Sequence, residues 1–376
     1  MIDRQLSSAL NARMDDRKAI VVLGPRQTGK TTLIETLLKG RESVLVLNCD
    51  DPEVRGRLDR ITLAGWRDLL GASKVVFIDE AQRIPDIGVK LKLVTDGLKS
   101  VKLLVSGSSA LELANEISEP LTGRKWEYLL YPISWSEWSA HVGGFEAERG
   151  LDQRLVLGMY PEVLMRPADA RELLRELAGS YLYRDLLGHR GIRRPELLDQ
   201  LLRALALQLG SEVSLNELAQ LLRVDKATVA RYIDLLEKAF IIFRLGPFKR
   251  NLRNEVATTR KIYFVDNGIR NAIIGNLDPF PLRTDQGALW ENFLISERCK
   301  TLAYRGWWGR SYFWRTVQQQ EIDLVEEEGS DLRAYEFKLN RPEKGRIPLT
   351  FIRAYPHART EVVHRGNFRQ FLDGPA

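Results

Sequence analysis

Residues 24–31 read Gly24-Pro25-Arg26-Gln27-Thr28-Gly29-Lys30-Thr31, the spacing G-x-x-x-x-G-K-[ST], and Thr32 follows directly. Glycines let a backbone close round phosphates. Successive N–H groups and a helix N-terminus give the closed loop positive potential. Lys30 adds a point charge, and the Thr31 hydroxyl can face Mg²⁺. ATP and Mg²⁺ are therefore the expected ligands of residues 24–32. The context suits the chemistry, because an apolar run at 19–23 precedes the loop and a helix-like run at 31–39 follows it.

A second apolar run, Val75-Val76-Phe77-Ile78, ends in Asp79-Glu80. Asp79 at a strand end would support Mg²⁺, and Glu80 would orient or polarise the attacking water. A third run ends in Val105-Ser106-Gly107-Ser108-Ser109. Its hydroxyls, Ser108 among them, can meet a terminal phosphate or the water, and Ser109 can equally cap a following helix. Arg124 follows Gly123 in a loop. It is either an arginine finger given to a neighbouring subunit or an ordinary surface arginine.

Carboxylates gather again near the C-terminus, in Glu321-Ile322-Asp323 and Tyr335-Glu336-Phe337-Lys338. Glu336 and Lys338 share a face if the segment is a strand. Asp323 and Glu336 can hold a divalent ion, Lys338 can act on the water at a phosphodiester, and Glu291 can complete the set. These four residues resemble the motif positions of the PD-(D/E)xK nuclease fold. The same alternation is also what a half-exposed strand displays. Just upstream, Arg305, Arg310 and Arg315 interleave with Tyr304, Trp307, Trp308, Tyr312, Phe313 and Trp314. This is a base-stacking surface or an aromatic hairpin core.

Between these regions lies a helix-turn-helix pattern. Ser214 and Glu217 form a capping box, and a second helix covers 227–240. Leu215, Leu218, Leu221, Leu222, Val229, Ile233 and Leu236 make the apolar seam. Lys226, Thr228 and Arg231 fall on the exposed side of the second helix, where groove contacts to DNA belong. Arg244, Lys249, Arg250, Arg253 and Arg260 follow, against the single acid Glu255. Asp225 and Asp234 on the second helix oppose a phosphate backbone, and winged helices also serve as protein-contact modules.

The elements that must position these groups follow from pattern and composition. The runs 19–23, 44–47, 74–78 and 102–105 read as buried strands alternating with helices, which predicts a parallel α/β sheet. Helical period takes over at 171–187 and 196–209, and strand-like runs return at 261–265, 311–315, 321–325 and 334–338. The expected organisation is an ATPase core at 1–140, a helical lid at 141–195, a winged helix-turn-helix at 196–250 and a mixed α/β nuclease-like domain at 251–376. The chain has 376 residues with a net charge of +6, compatible with nucleic-acid contact without establishing it. Cys49 and Cys299 are too few for a disulfide scaffold. The four histidines show no metal spacing with them. No run is apolar enough for a membrane span, and the N-terminus lacks an apolar signal region, so a cytoplasmic setting is expected.

Residues 24–32, Asp50-Asp51-Pro52, Phe77-Ile78-Asp79-Glu80-Ala81-Gln82, 106–113 and 121–124 resemble the AAA+-type P-loop ATPases of bacteria and archaea that precede a DUF4143 domain. The resemblance continues through Gly158-Met159-Tyr160-Pro161-Glu162-Val163, Tyr263-Phe264-Val265-Asp266-Asn267-Gly268 and 287–297. It implies the AAA+ fold, ATP hydrolysis, and a homo-oligomeric ring such as a hexamer in which Arg124 acts on a neighbour. The leading expectation is an ATP-driven motor or remodeller working on branched or single-stranded DNA. The alternatives are an ATP-gated metal-dependent nuclease and a nucleotide-dependent signalling switch with a protein partner.

Overall fold

The computed structural model describes residues 1–108, 117, 119–181, 194–249, 260–341 and 347–374. They fall into two compact units, Met1–Ile133 with Lys238–Phe240, and Ser134–Glu237 with Ile241–Ala376. No helix among them is long and apolar enough to cross a membrane.

The first unit is built on a five-stranded sheet. Its strands are β1 (Ala19–Leu23), β2 (Val44–Asn48), β3 (Val75–Asp79), β4 (Lys102–Gly107) and β5 (Lys125–Leu129). They lie in the order β2-β3-β4-β1-β5 and pair in parallel throughout. The expected parallel α/β core is thus the observed one. β1, β3 and β4 are buried along their whole length, which is why they read as unbroken apolar runs. Val21, Leu23, Ile78, Leu103 and Val105 join one core with Trp66, Leu91 and Ile117. β5 is absent from the sequence reading. It is an edge strand, Lys-Trp-Glu-Tyr-Leu, and its residues stay half-buried or exposed. The order sets β1 beside β4 and β4 beside β3, so their C-terminal ends are neighbours. That is where open parallel sheets bind ligands.

The second unit carries a seven-stranded sheet in the order β12-β11-β10-β9-β7-β8-β6. The strands are β6 (Glu212–Val213), β7 (Ile242–Pro247), β8 (Arg260–Phe264), β9 (Arg310–Arg315), β10 (Glu321–Glu328), β11 (Asp331–Phe337) and β12 (Arg359–Val363). One sheet therefore crosses the domain boundary expected at 250. The seam is a short parallel pairing, Gly246 with Tyr312 and Pro247 with Phe313. The helix Gln286–Tyr304 backs this sheet, with Asn292 bonded to both the N–H and the C=O of Phe264. The expected helical run at 171–187 is a helix over Ala170–Glu176 and a π-helical turn at Leu177–Tyr181. The rest of that run lies outside the described residues.

Candidate functional site

The phosphate loop leaves β1 at Gly24, whose φ is +149°. A Cβ there would stand 2.1 Å from the Leu130 carbonyl oxygen, so only glycine fits. Gln27 and Gly29 also take positive φ, which folds the loop back onto the helix Lys30–Leu38. The Thr28 hydroxyl donates to Pro25 O at 2.8 Å and ties the loop shut from inside. Lys30 is buried, and its ammonium donates to Gly24 O at 2.9 Å and Pro25 O at 2.7 Å. The charge is thus held across the loop. Arg26 belongs to the loop itself, and Thr32 is the third residue of the helix, where its carbonyl accepts from the Thr36 hydroxyl.

Asp79 ends β3 opposite this loop. Its Oδ2 accepts the Thr31 hydroxyl at 2.8 Å, and its Oδ1 accepts the Ser106 hydroxyl and the Glu80 N–H. A hydroxyl and a carboxylate facing each other are the hard oxygen donors that Mg²⁺ prefers, so these residues fit that ion. Glu80 turns the chain sharply, with φ +51°. A left-handed non-glycine residue at a strand end is the backbone strain that sites tend to store. Its Oε2 accepts from Gln82 Nε2 and from Ser108 Oγ, the latter at 3.1 Å. Gln82 Nε2 also donates to Ser108 Oγ at 2.8 Å, closing a triangle of Glu80, Gln82 and Ser108. Both partners of the carboxylate are neutral, and together they fix its orientation at the strand end. Cys49 lies close by. Burial, with Asp79 adding to it, pushes its thiol up to about 12, which favours the neutral thiol over the thiolate.

Arg124 is placed elsewhere. Its carbonyl accepts the Ala19 N–H at 2.8 Å, which sets it at the N-terminal end of β1, away from the loop. Its guanidinium pairs with Asp96 at 2.6 Å.

The helix-turn-helix forms over Leu215–Leu222 and Lys226–Lys238, with the Ser214 hydroxyl accepting from Glu217 N. Leu218, Val229, Ile233 and Leu236 are buried as expected, but Leu221 is 65% exposed and Ala219 takes its place inside. Lys226 and Arg231 are exposed. Thr228 is committed to the helix start, since both its N–H and its hydroxyl bond the Asp225 carboxylate. Those bonds hold Asp225 below the usual carboxylate range. Arg244 pairs with Asp234 and Glu237, which removes it from any free basic surface. Lys249 is half-buried, while Arg250 and Arg253, like Glu255 and Ser109, lie outside the described residues.

The C-terminal carboxylates do converge. Glu291 comes from the helix Gln286–Tyr304, Glu321 and Asp323 from β10, and Glu336 from β11. At their centre stands Lys261 of β8, with 3% of its side chain exposed. Its Nζ pairs with Glu321, with Glu291 Oε1 at 3.1 Å and with Asp323 Oδ1 at 3.9 Å. The Tyr263 hydroxyl donates to the same Glu291 oxygen at 2.6 Å. Asp323 Oδ2 accepts the Phe337 N–H at 2.7 Å, and Lys338 donates to Glu336 at 2.6 Å. Among the described residues, no three His, Cys, Asp or Glu side chains form a group able to hold a metal ion. The aromatic stretch beside this cluster divides. Phe313 and Trp314 are core, with Trp314 edge-on to Phe351, whereas Trp308 is 94% exposed.

Three family models match the chain in succession. They are an AAA domain over residues 16–139, a domain of unknown function (DUF8612) over 148–279, and a second (DUF4143) over 286–374. A protein of Mycobacterium tuberculosis described as uncharacterized is 30% identical over 98% of this chain and 81% of its own length. The chain belongs to this family of P-loop ATPases with a C-terminal DUF4143 domain. An archaeal relative from Methanocaldococcus jannaschii, also described as uncharacterized, is 22% identical over 94% of this chain and 82% of its own. Among solved structures, the Walker-type ATPase of Pyrococcus abyssi matches with a TM-score of 0.51 and 17% identity, over 73% of this chain and 96% of that one. That likeness is one of fold.

The segments 158–163 and 263–268 interlock. Gly158 has φ +71°, and a Cβ on it would fall 2.0 Å from Asp266 Oδ1. The Asp266 carboxylate accepts from Met159 N at 2.7 Å and caps the helix Asn267–Ile273. The two segments therefore build one buried polar joint.

Two residues near the phosphate loop were missed in the sequence. Gln82 is one. Arg4 is the other: it donates to Thr28 O at 2.7 Å and to Tyr131 O at 2.6 Å, bracing the loop from behind. No motif marks it. Charge-assisted bonds of this kind are each worth ~1.5–3 kcal/mol when buried, and less here at partial burial. Arg4→Ala is expected to weaken ATP binding by about tenfold, following from a loss of about 1.4 kcal/mol. A nucleotide titration checks this, and unchanged affinity would mean that the brace is not felt by the loop.

Proposed function

We propose that this chain hydrolyses ATP and couples the turnover to action on DNA. The observation that carries the hydrolytic half is the meeting of Lys30, Thr31, Asp79, Glu80 and Ser108 at the C-terminal ends of three adjacent strands. Lys30 exchanges loop carbonyls for phosphate oxygens, and the loop's N–H groups cradle the rest. The Thr31 hydroxyl and Asp79 would hold Mg²⁺, which offsets phosphate charge when bound. Glu80 takes a proton from the attacking water, and Gln82 and Ser108 fix its carboxylate for that task. In this reading the chain works as a homo-oligomer, and Arg124 serves a neighbouring copy's phosphates after leaving Asp96.

The DNA half rests on Lys226 and Arg231, exposed on the second helix of the helix-turn-helix, and on exposed Trp308. The test is ATP turnover and DNA binding across a salt series, with single-stranded and branched DNA. Each lysine or arginine on a phosphate contributes about 0.9 to the salt slope. The double variant Lys226→Ala, Arg231→Ala should therefore lose affinity and flatten the slope by about two. DNA that neither binds nor alters turnover ends this reading and leaves the protein-partner switch.

A further inference from the structure

Four carboxylates converging in a nuclease-like fold invite a divalent metal. In this chain a lysine already stands among them. Glu291 Oε1 takes the Lys261 ammonium and the Tyr263 hydroxyl. Glu321 pairs with Lys261, Asp323 Oδ1 faces it, and Asp323 Oδ2 takes a backbone N–H. Glu336 has one oxygen on Lys338 and one, Oε2, buried without a partner. Mg²⁺ usually takes one or two carboxylates and completes its six ligands with water, so the obstacle here is the ammonium among these carboxylates rather than the oxygen count. A dication there would be repelled by the Lys261 ammonium, which lies 3.1 Å from Glu291 Oε1 and 3.9 Å from Asp323 Oδ1.

We infer that the Lys261 ammonium is the resident cation of this carboxylate cluster, standing where the fold would place a metal. The C-terminal domain then takes no divalent ion at Asp323 and Glu336, and it does not cut phosphodiesters by metal-activated water. The electrostatics agree with this geometry. Burial opposes the charge on Lys261, yet Glu291, Asp323 and Glu321 outweigh it and hold the ammonium above the usual lysine range. Burial, then Glu291 and Glu336, pushes the Asp323 carboxyl well up. The inference is independent of the ATP reading, since it concerns a different unit of the chain.

Manganese is the probe, followed through the spin-resonance signal of the free ion. The full chain carries Thr31→Ala, so that the phosphate loop does not contribute. With Lys261 intact, the carboxylate cluster should retain no manganese, and Asp323→Asn should change nothing. Lys261→Met in the same background should gain one bound ion per chain, and adding Asp323→Asn should remove it. Lys261→Gln serves as a second variant if methionine is not tolerated. Manganese held by the Lys261 protein and released by Asp323→Asn overturns the inference. So does a folded Lys261→Met or Lys261→Gln chain that gains none. The measurement on intact Lys261 stands whether or not either variant folds.

Discussion

Glu80→Gln leaves ATP bound and removes its turnover. The substitution keeps the size of the side chain and the left-handed backbone at this position, φ +51°. It leaves untouched the loop lysine and the Thr31–Asp79 pair, the groups that meet the nucleotide. What disappears is the carboxylate that Gln82 and Ser108 hold in place, the group proposed to take the proton from water. A positioned general base contributes ~10²–10⁴ in rate. The turnover number should fall by about that factor, while the dissociation constant for ATP stays within about twofold of the parent. Asp79→Asn should behave differently. Asp79 gathers the Thr31 and Ser106 hydroxyls and the Glu80 N–H, so its loss weakens metal-dependent nucleotide binding as well as rate. The two variants separate the carboxylate that holds from the carboxylate that reacts. Steady-state turnover and equilibrium binding of a fluorescent nucleotide read both. Normal turnover in Glu80→Gln would remove Glu80 from the chemistry.

The phosphate site was legible because its chemistry is local. A loop, its helix and two strand ends each announce themselves within a few residues, and apolar strands buried on both faces leave unbroken runs. β5 was not legible, since a half-exposed edge strand alternates charge with aromatics. The seven-stranded sheet was hidden for a different reason. Its seam joins Gly246 to Tyr312 through two residue pairs, and nothing in either segment names the other. Arg124 follows a glycine in a loop and was read as either a finger for a neighbouring subunit or a surface arginine. Its place at the far end of β1 depends on strand pairing. The bonds from Gln82 to Ser108 and from Arg4 to Tyr131 join segments that no local spacing connects. The C-terminal carboxylates were found by residue type. Lys261 was read only as the start of a strand, because its three partners lie on other elements.

Lys261→Met should be among the most destabilising single changes in the chain. The side chain is 3% exposed and faces three carboxylates. Removing the ammonium leaves Glu291, Glu321 and Asp323 in mutual repulsion, and breaking a buried ion pair from one side costs ~3–5 kcal/mol. For a unit of this size that is a fall in melting temperature of roughly 6–20 °C. Lys338→Met is the control. Among the described residues Lys338 pairs with Glu336, and it is 46% exposed, so its loss should cost under about 1 kcal/mol. The deficit of Lys261→Met should also depend on pH with a definite sign. Asp323 is already held above its ordinary value, by burial and then by Glu291 and Glu336. A carboxyl whose folded pKa is raised binds more protons folded than unfolded, so stability falls as pH rises through that raised value. Without the ammonium the rise is larger. The gap between parent and variant should therefore narrow below the usual carboxylate range and widen toward neutral pH. Thermal melts across that range decide it, since a purely steric role for Lys261 predicts a gap that does not move with pH.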